Sequence, residues 1–221
     1  MQNIIQQVIA REAEAIRNIP VNEQYEKAVD IMFERVHQMQ GKLVASGMGK
    51  AGQIALNIAT TLSSTGTPSV FLHPSDSQHG DLGVIQKNDV LLLISNSGKT
   101  REILELISLT DDLYPNLPLI VITGNTGSDL ARLADVCLHT GGPEEVCPLG
   151  LTPSTSTTAM TVIGDILMVL MMKKINFTSE QYARRHHGGY LGDKSRQQAF
   201  SGSHGSGDTE LRRMSDRQNI T

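Results

Sequence analysis

Val90-Leu91-Leu92-Leu93-Ile94-Ser95-Asn96-Ser97-Gly98-Lys99-Thr100-Arg101 opens as an unbroken run of branched aliphatic residues and closes in a turn rich in hydroxyls that leads into a helix. A short apolar run of this kind, bounded by Asp89 and Ser95, reads as a strand buried on both faces. Helical spacing from Arg101 to Leu109 makes the stretch a strand, loop and helix unit. Upstream, Leu43-Val44-Ala45-Ser46 leads into a helical pattern from Gln53 to Leu62 and then to Ser69-Val70-Phe71-Leu72. Downstream, Leu119-Ile120-Val121-Ile122 leads into a pattern from Ser128 to Leu133 and then to Ala134-Asp135-Val136-Cys137-Leu138. Such alternation builds βαβ units, so the expected fold class is α/β, a three-layer α/β/α sandwich around a parallel sheet.

Tyr25, Ala28, Val29, Met32, Phe33 and Val36 recur at three- and four-residue spacing and predict a helix ahead of the first strand. Thr157 to Lys174, rich in Met, Ile, Val and Leu, predicts a largely buried helix; with Asp165, Lys173 and Lys174 it is too polar for a membrane span. The pattern stops near Ser195, and Ser201-Gly202-Ser203-His204-Gly205-Ser206-Gly207 resembles a flexible linker. The organisation expected is therefore one domain over residues 1–194, N-terminal helices included, and a flexible tail over 195–221.

Composition removes several function classes. The chain is 39% hydrophobic and 19% charged, ordinary for a globular protein. A formal charge of −4 with no basic stripe, and few aromatic residues for base stacking, argue against nucleic-acid binding. The N-terminus lacks the basic start and apolar stretch of an export signal, so no membrane association is expected and the cytoplasm is the default location. Cys137 and Cys147 are the only cysteines and read as reduced thiols.

Two loops lie where a strand meets a helix N-terminus, the place at which α/β sheets bind anions. Ser46-Gly47-Met48-Gly49-Lys50-Ala51-Gly52 matches the glycine pattern of a dinucleotide site, but the next strand ends in Phe71-Leu72-His73-Pro74 with no acid to hold a ribose. Ser95-Asn96-Ser97-Gly98-Lys99-Thr100 imitates the end of an ATP-binding loop, yet Leu93 stands where the first glycine is required. The second loop instead offers the hydroxyls of Ser95, Ser97 and Thr100 to one small phosphate. The same residues would equally serve as helix caps.

Taken in order, Gly47-Met48-Gly49-Lys50, His73-Pro74, His79-Gly80-Asp81-Leu82-Gly83, Ser95-Asn96-Ser97-Gly98, Cys147-Pro148-Leu149-Gly150-Leu151 and His186-His187-Gly188-Gly189 resemble the sugar-isomerase (SIS) domain of D-arabinose 5-phosphate isomerases. The resemblance implies a flavodoxin-like sheet of five parallel strands, a homotetramer with active sites shared between subunits, and interconversion of D-ribulose 5-phosphate and D-arabinose 5-phosphate. That reaction supplies Kdo for lipopolysaccharide or capsule. By position it makes Lys50, Glu102, Glu145 and His186 the residues on which activity depends, and sets Gly47, Gly49, Gly66, Thr67, His73, His79, Asn96 and His187 in or beside the substrate pocket. Two departures stand out: Lys99 occupies a position that is often Glu, and His187 replaces the Pro of a His-Pro-Gly-Gly motif. The paired CBS domains of longer relatives find no counterpart in this sequence, so direct inhibition by CMP-activated Kdo is an expectation for its control.

Isomerisation of this kind moves a proton between adjacent carbons and requires a base near both. The expectation is that Glu145 performs the transfer through a cis-enediol while His186 serves the oxygens or ring opening. Lys50 would bind substrate oxygen or phosphate, and Glu102 would hold Lys50 or a substrate hydroxyl. No cofactor is expected, and His73, His79, His186 and His187 match no zinc spacing. Another phosphosugar, a hexulose or heptulose phosphate, is the alternative substrate; a non-catalytic sugar-phosphate sensor is the alternative class, although no helix-turn-helix segment accompanies it.

Overall fold

A computed structural model describes residues 1–201 of the chain. Residues 1–176 form one compact unit and a second unit begins at Phe177. In the first, β1 (Leu43–Gly47), β2 (Ser69–Phe71), β3 (Val90–Ile94), β4 (Leu119–Thr123) and β5 (Val136–His139) form a single sheet in the order β2-β1-β3-β4-β5. All its pairings are parallel. Every residue of β1, β3 and β4 is buried, as strands covered on both faces must be. The edge strands differ: β2 is partly exposed throughout, and β5 alternates.

Successive strand residues feed two separate apolar layers. Leu43, Ala45, Val90, Leu92, Ile94, Ile120 and Ile122 point to the layer under α2 (Gln24–Met32), α3 (Lys50–Ser64) and α7 (Thr155–Lys174), with α1 (Gln2–Arg17) packing on α7. Val44, Leu91, Leu93, Leu119 and Val121 point to the other, which holds Ile103, Leu106 and Ile107 of α5 (Arg101–Leu113) and Leu130 of α6 (Asp129–Leu133). The three-layer arrangement expected from the alternating pattern is therefore the observed one. At the strands' N-terminal edge, buried Asp89 accepts from the backbone N–H of Lys42 and of Gln86 and pairs with Lys42 Nζ at 2.7 Å, tying the starts of β1 and β3 together.

Several boundaries move. The expected helix over Tyr25–Val36 is α2 followed by a π-helical turn, Phe33–Gln38. Helix α3 begins at Lys50 rather than Gln53, because Gly49 adopts a positive φ of 60° and turns the chain directly into it. Helix α7 gains Thr155 and Ser156, reaching 20 residues; contrary to the expectation that its charges make it too polar, it is long and apolar enough to cross a membrane, but Ala159, Met160, Ile163, Leu167 and Met171 lie in the core.

In the second unit, α8 (Ser179–Ala183) packs on α9 (Gly189–Ser201). The expected boundary at 194 falls inside α9, which continues past Ser195. The Gly- and Ser-rich tail from 202 onward lies outside the described residues.

Candidate active site

Strand order reverses between β1 and β3: from β1 the chain crosses to one edge of the sheet, and from β3 it proceeds to the other. A crevice opens at such a switch point beside the C-terminal ends of the two strands. Here Gly47 and Ile94, the last residues of β1 and β3, are register partners. The two loops singled out in the sequence therefore leave the sheet side by side.

The first loop is tight enough to demand glycine. A Cβ on Gly47 would lie 2.8 Å from the Ala51 carbonyl, and one on Gly52 would lie 2.5 Å from the Gly47 oxygen. The second is braced from within: Ser95 Oγ accepts from the Gly98 N–H at 3.1 Å and pairs with Thr100 Oγ1 at 2.8 Å, while Ser97 Oγ accepts from the Lys99 N–H at 3.2 Å. Gly98, at φ 64°, backs onto Ser128, whose Oγ a Cβ there would approach to 2.0 Å. The hydroxyls expected to cradle phosphate are thus partly committed to the turn. What remains open are the helix starts, since α3 and α5 have no side-chain cap and their first N–H groups lack intrahelical partners. By contrast, Ser128 caps α6.

Glu145 closes the N-terminus of α7. Its Oε2 accepts from the N–H and hydroxyl of Ser154, at 2.7 and 3.0 Å, and from the N–H of Ser156 at 3.3 Å; its Oε1 accepts from the Ser156 hydroxyl. Burial alone would raise its pKa, but the donors on Ser156 and Ser154 outweigh burial and hold the carboxyl below the usual carboxylate range. The loop that carries it leans on the β4 exit: a Cβ on Gly142 would sit 3.3 Å from the Gly124 oxygen, and the Gly124 N–H donates to the Asn96 oxygen at 3.1 Å. Contacts thus run from the Ser95–Thr100 loop across β4 to the segment bearing Glu145.

The strands' C-terminal edge accordingly gathers Gly47 at the end of β1, with Gly49 and Lys50 after it, His73 after β2, Ser95 to Thr100 and Glu102 at the β3 exit, and Glu145 beyond β5. Lys50 is exposed and Glu102 partly buried, and neither makes a side-chain hydrogen bond or ion pair among the described residues, so of the two roles expected for Glu102, holding Lys50 or a substrate hydroxyl, the first is not formed here. His73 stands at the N-cap position of α4 (Pro74–Ser77) without a capping hydrogen bond; its buried Nδ1 lies 3.8 Å from the Asp76 carboxylate, too far to bond, and has no partner among the described residues. His79 is exposed beyond α4.

Gly66 and Thr67 lie elsewhere. They precede β2, at the opposite edge of the sheet, where Thr67 Oγ1 meets His37 Nε2 at 3.3 Å. His186 and His187 belong to the second unit, where the His186 ring stacks on Tyr182 at 3.7 Å and its Nδ1 lies 3.0 Å from the Tyr182 oxygen. Among the described residues no three His, Cys, Asp or Glu side chains are placed to hold a metal ion.

Sequence reasoning missed Ser154 and Ser156, which fix Glu145; the available signal was the run Ser154-Thr155-Ser156-Thr157 opening an apolar helix. It also read Cys147 only as a reduced thiol and did not anticipate its acidity. Hydrogen bonds from the backbone and hydroxyl of Thr152, joined by the Leu151 N–H, pull that thiol down to about 7.

Comparison with known proteins follows the same outline. Arabinose 5-phosphate isomerase KdsD of Shigella flexneri is 45% identical over 190 residues, 85% of this chain and 56% of the relative. The chain thus spans little more than half the length of that protein. A Bacteroides fragilis structure, described as a candidate phosphosugar isomerase involved in capsule formation, is 66% identical with a TM-score of 0.83 over 84% of this chain and 97% of its own. Escherichia coli CFT073 c3406, solved in complex with arabinose 5-phosphate, is 33% identical with a TM-score of 0.77 over 83% and 96%. Residues 36–170, from the π-helical turn through all five strands and most of α7, match the SIS domain, and the chain belongs to that family.

Proposed function

We propose that this chain is an aldose–ketose isomerase that interconverts D-ribulose 5-phosphate and D-arabinose 5-phosphate through a cis-enediol. The observation that carries the reading is Glu145: an ionised carboxylate held at a helix start, on a loop packed against the β4 exit, which in turn bonds to the turn after β3. Its likeness to KdsD and to c3406 supports the choice of substrate.

In this reading the phosphate sits on the open N-termini of α3 and α5, helped by Lys50. Glu145 takes the proton from one carbon and returns it to its neighbour, Glu102 holds a substrate hydroxyl, and His186 handles the oxygens. His186 belongs to a separate unit from Glu145, and we assign it to the active site of a neighbouring subunit in a homotetramer. Cytoplasmic residence, supply of Kdo, and feedback by CMP-activated Kdo belong to the same proposal.

Ribulose 5-phosphate conversion, with the product identified by NMR, tests it directly. Glu145→Gln and His186→Ala are each expected to lose turnover while keeping their fold, and mixed assemblies of the two to recover part of it. Near-normal turnover in Glu145→Gln overturns the reading. No recovery in verified mixed assemblies overturns the shared site.

A further inference from the structure

The peptide bond that follows Glu145 is held at both ends, its carbonyl by α1 directly and its N–H by α7, whose contact α1 backs in turn. Its carbonyl oxygen, on Glu145, accepts from Arg11 Nη2 at 3.3 Å. Its N–H, on Val146, is shared between Thr155 Oγ1 at 3.1 Å and Ser154 Oγ at 3.3 Å, and the Thr155 hydroxyl donates onward to Glu12 Oε1 at 3.4 Å. A hydroxyl has one proton, so once Glu12 takes it a lone pair of Thr155 is left facing Val146. Arg11 and Glu12 are adjacent on α1, far from residue 145 in sequence.

Fixing both the C=O and the N–H of one planar peptide removes its freedom to rotate. The direction in which Glu145 leaves the backbone is thereby set. Arg11 also reaches the Glu144 carboxylate at 3.6 Å, but with those side chains 46% and 94% exposed the pair contributes little. The backbone contact is the one that orients. Further along, Asn18 supports the same loop, for a Cβ on Gly141 would come within 2.8 Å of its oxygen. Glu12 Oε2 is buried without a partner among the described residues, a costly arrangement that is seldom kept without a use.

We propose that Arg11 and Glu12 are positioning residues for Glu145, with α1 clamping the 145–146 peptide so that the carboxylate stays on the α7 N-terminus. The proposal rests on the reading of Glu145 as the base. Arg11→Ala, Glu12→Ala and Thr155→Val, compared with Glu145→Gln in ribulose 5-phosphate turnover, test it. Each of the three is expected to lower kcat about tenfold with KM held within about twofold, and Arg11→Lys to restore part of the loss. Glu12→Ala combined with Thr155→Val loses no more than either alone, because the two act in one relay. The acid limb of kcat moves to higher pH in all three as the serine donors loosen; a merely structural role lowers the melting temperature and leaves that limb in place.

Turnover within about twofold of wild type in Arg11→Ala and Glu12→Ala, with Glu145→Gln inactive, overturns the clamp. Additive losses in the double variant overturn the relay. Near-normal turnover in Glu145→Gln overturns the underlying reading instead. Should Arg11→Ala fail to fold, Glu12→Ala and Thr155→Val carry the same comparison.

Discussion

At Glu145 two effects oppose each other, and the outcome decides what the residue can do. Partial burial favours the protonated acid, while donors from Ser154 and Ser156 favour the anion and prevail. The carboxyl is therefore charged at neutral pH, as a base requires, although each donor it accepts also blunts its basicity. The sign of the pH effect follows. A depressed folded pKa contributes stability that is fully present above the ordinary glutamate value of 4.5 and is lost as pH falls through the folded one. Ser156→Ala removes a strong donor and allows the pKa to rise, so the acid limb of kcat should shift to higher pH, as a kcat profile on ribulose 5-phosphate would record. An unmoved limb would mean that the Ser154 hydroxyl and the backbone N–H groups suffice to set the charge. None of this cradle was legible from composition, because Ser154 and Ser156 meet Glu145 only through the fold of the intervening loop. The glycine at 98 was legible as part of a turn, but its need to lie against Ser128 joins two different strand exits and could not be read locally.

Elements were read most faithfully where burial on both faces leaves a continuous apolar run. The sequence reading of β3 matches the observed strand, and β1 and β4 each extend one residue beyond theirs. Edge strands blur: β2 is only three residues long, and the expected start of β5 at Ala134 fails because Asp135 instead bends back to accept from the Leu119 N–H at 2.8 Å. Helix boundaries moved where a glycine conformation or a cap, invisible to periodicity, sets the start. The contact of α3 with α7 shows what periodicity also cannot reveal. Gly164 permits the approach, since a Cβ there would lie 2.4 Å from Ile58 Cγ1. Overpacking of this kind typically costs about 1–3 kcal/mol. Gly164→Ala should lower the urea midpoint accordingly, and adding Ile58→Ala should cost less than the sum of the separate changes because it vacates the clashing volume. Strict additivity would place the strain somewhere other than this crossing.

For the whole molecule, the decisive pattern is where the apolar residues stop. Among the described residues, both buried clusters, with everything packed against them, draw only on residues up to Ile175. Beyond Phe177 the sequence still spells helices, with a capping box at Thr178 and Gln181, and among the described residues neither α8 nor α9 adds an apolar residue to either cluster. That is why the sequence pointed to one domain up to 194 and gave no sign of the division at Asn176. It follows that the stability of the sheet and the chemistry of the proposed site are separable by truncation. A chain ending at Asn176 keeps both clusters, the switch-point loops and Glu145, yet loses His186. Its thermal unfolding should remain a single cooperative transition, as one intact core requires, while turnover of ribulose 5-phosphate disappears. A broad, uncooperative melt would show that the second unit holds the core together. Retained turnover would remove His186 from the chemistry, leaving Glu145 to act with groups on the first unit alone.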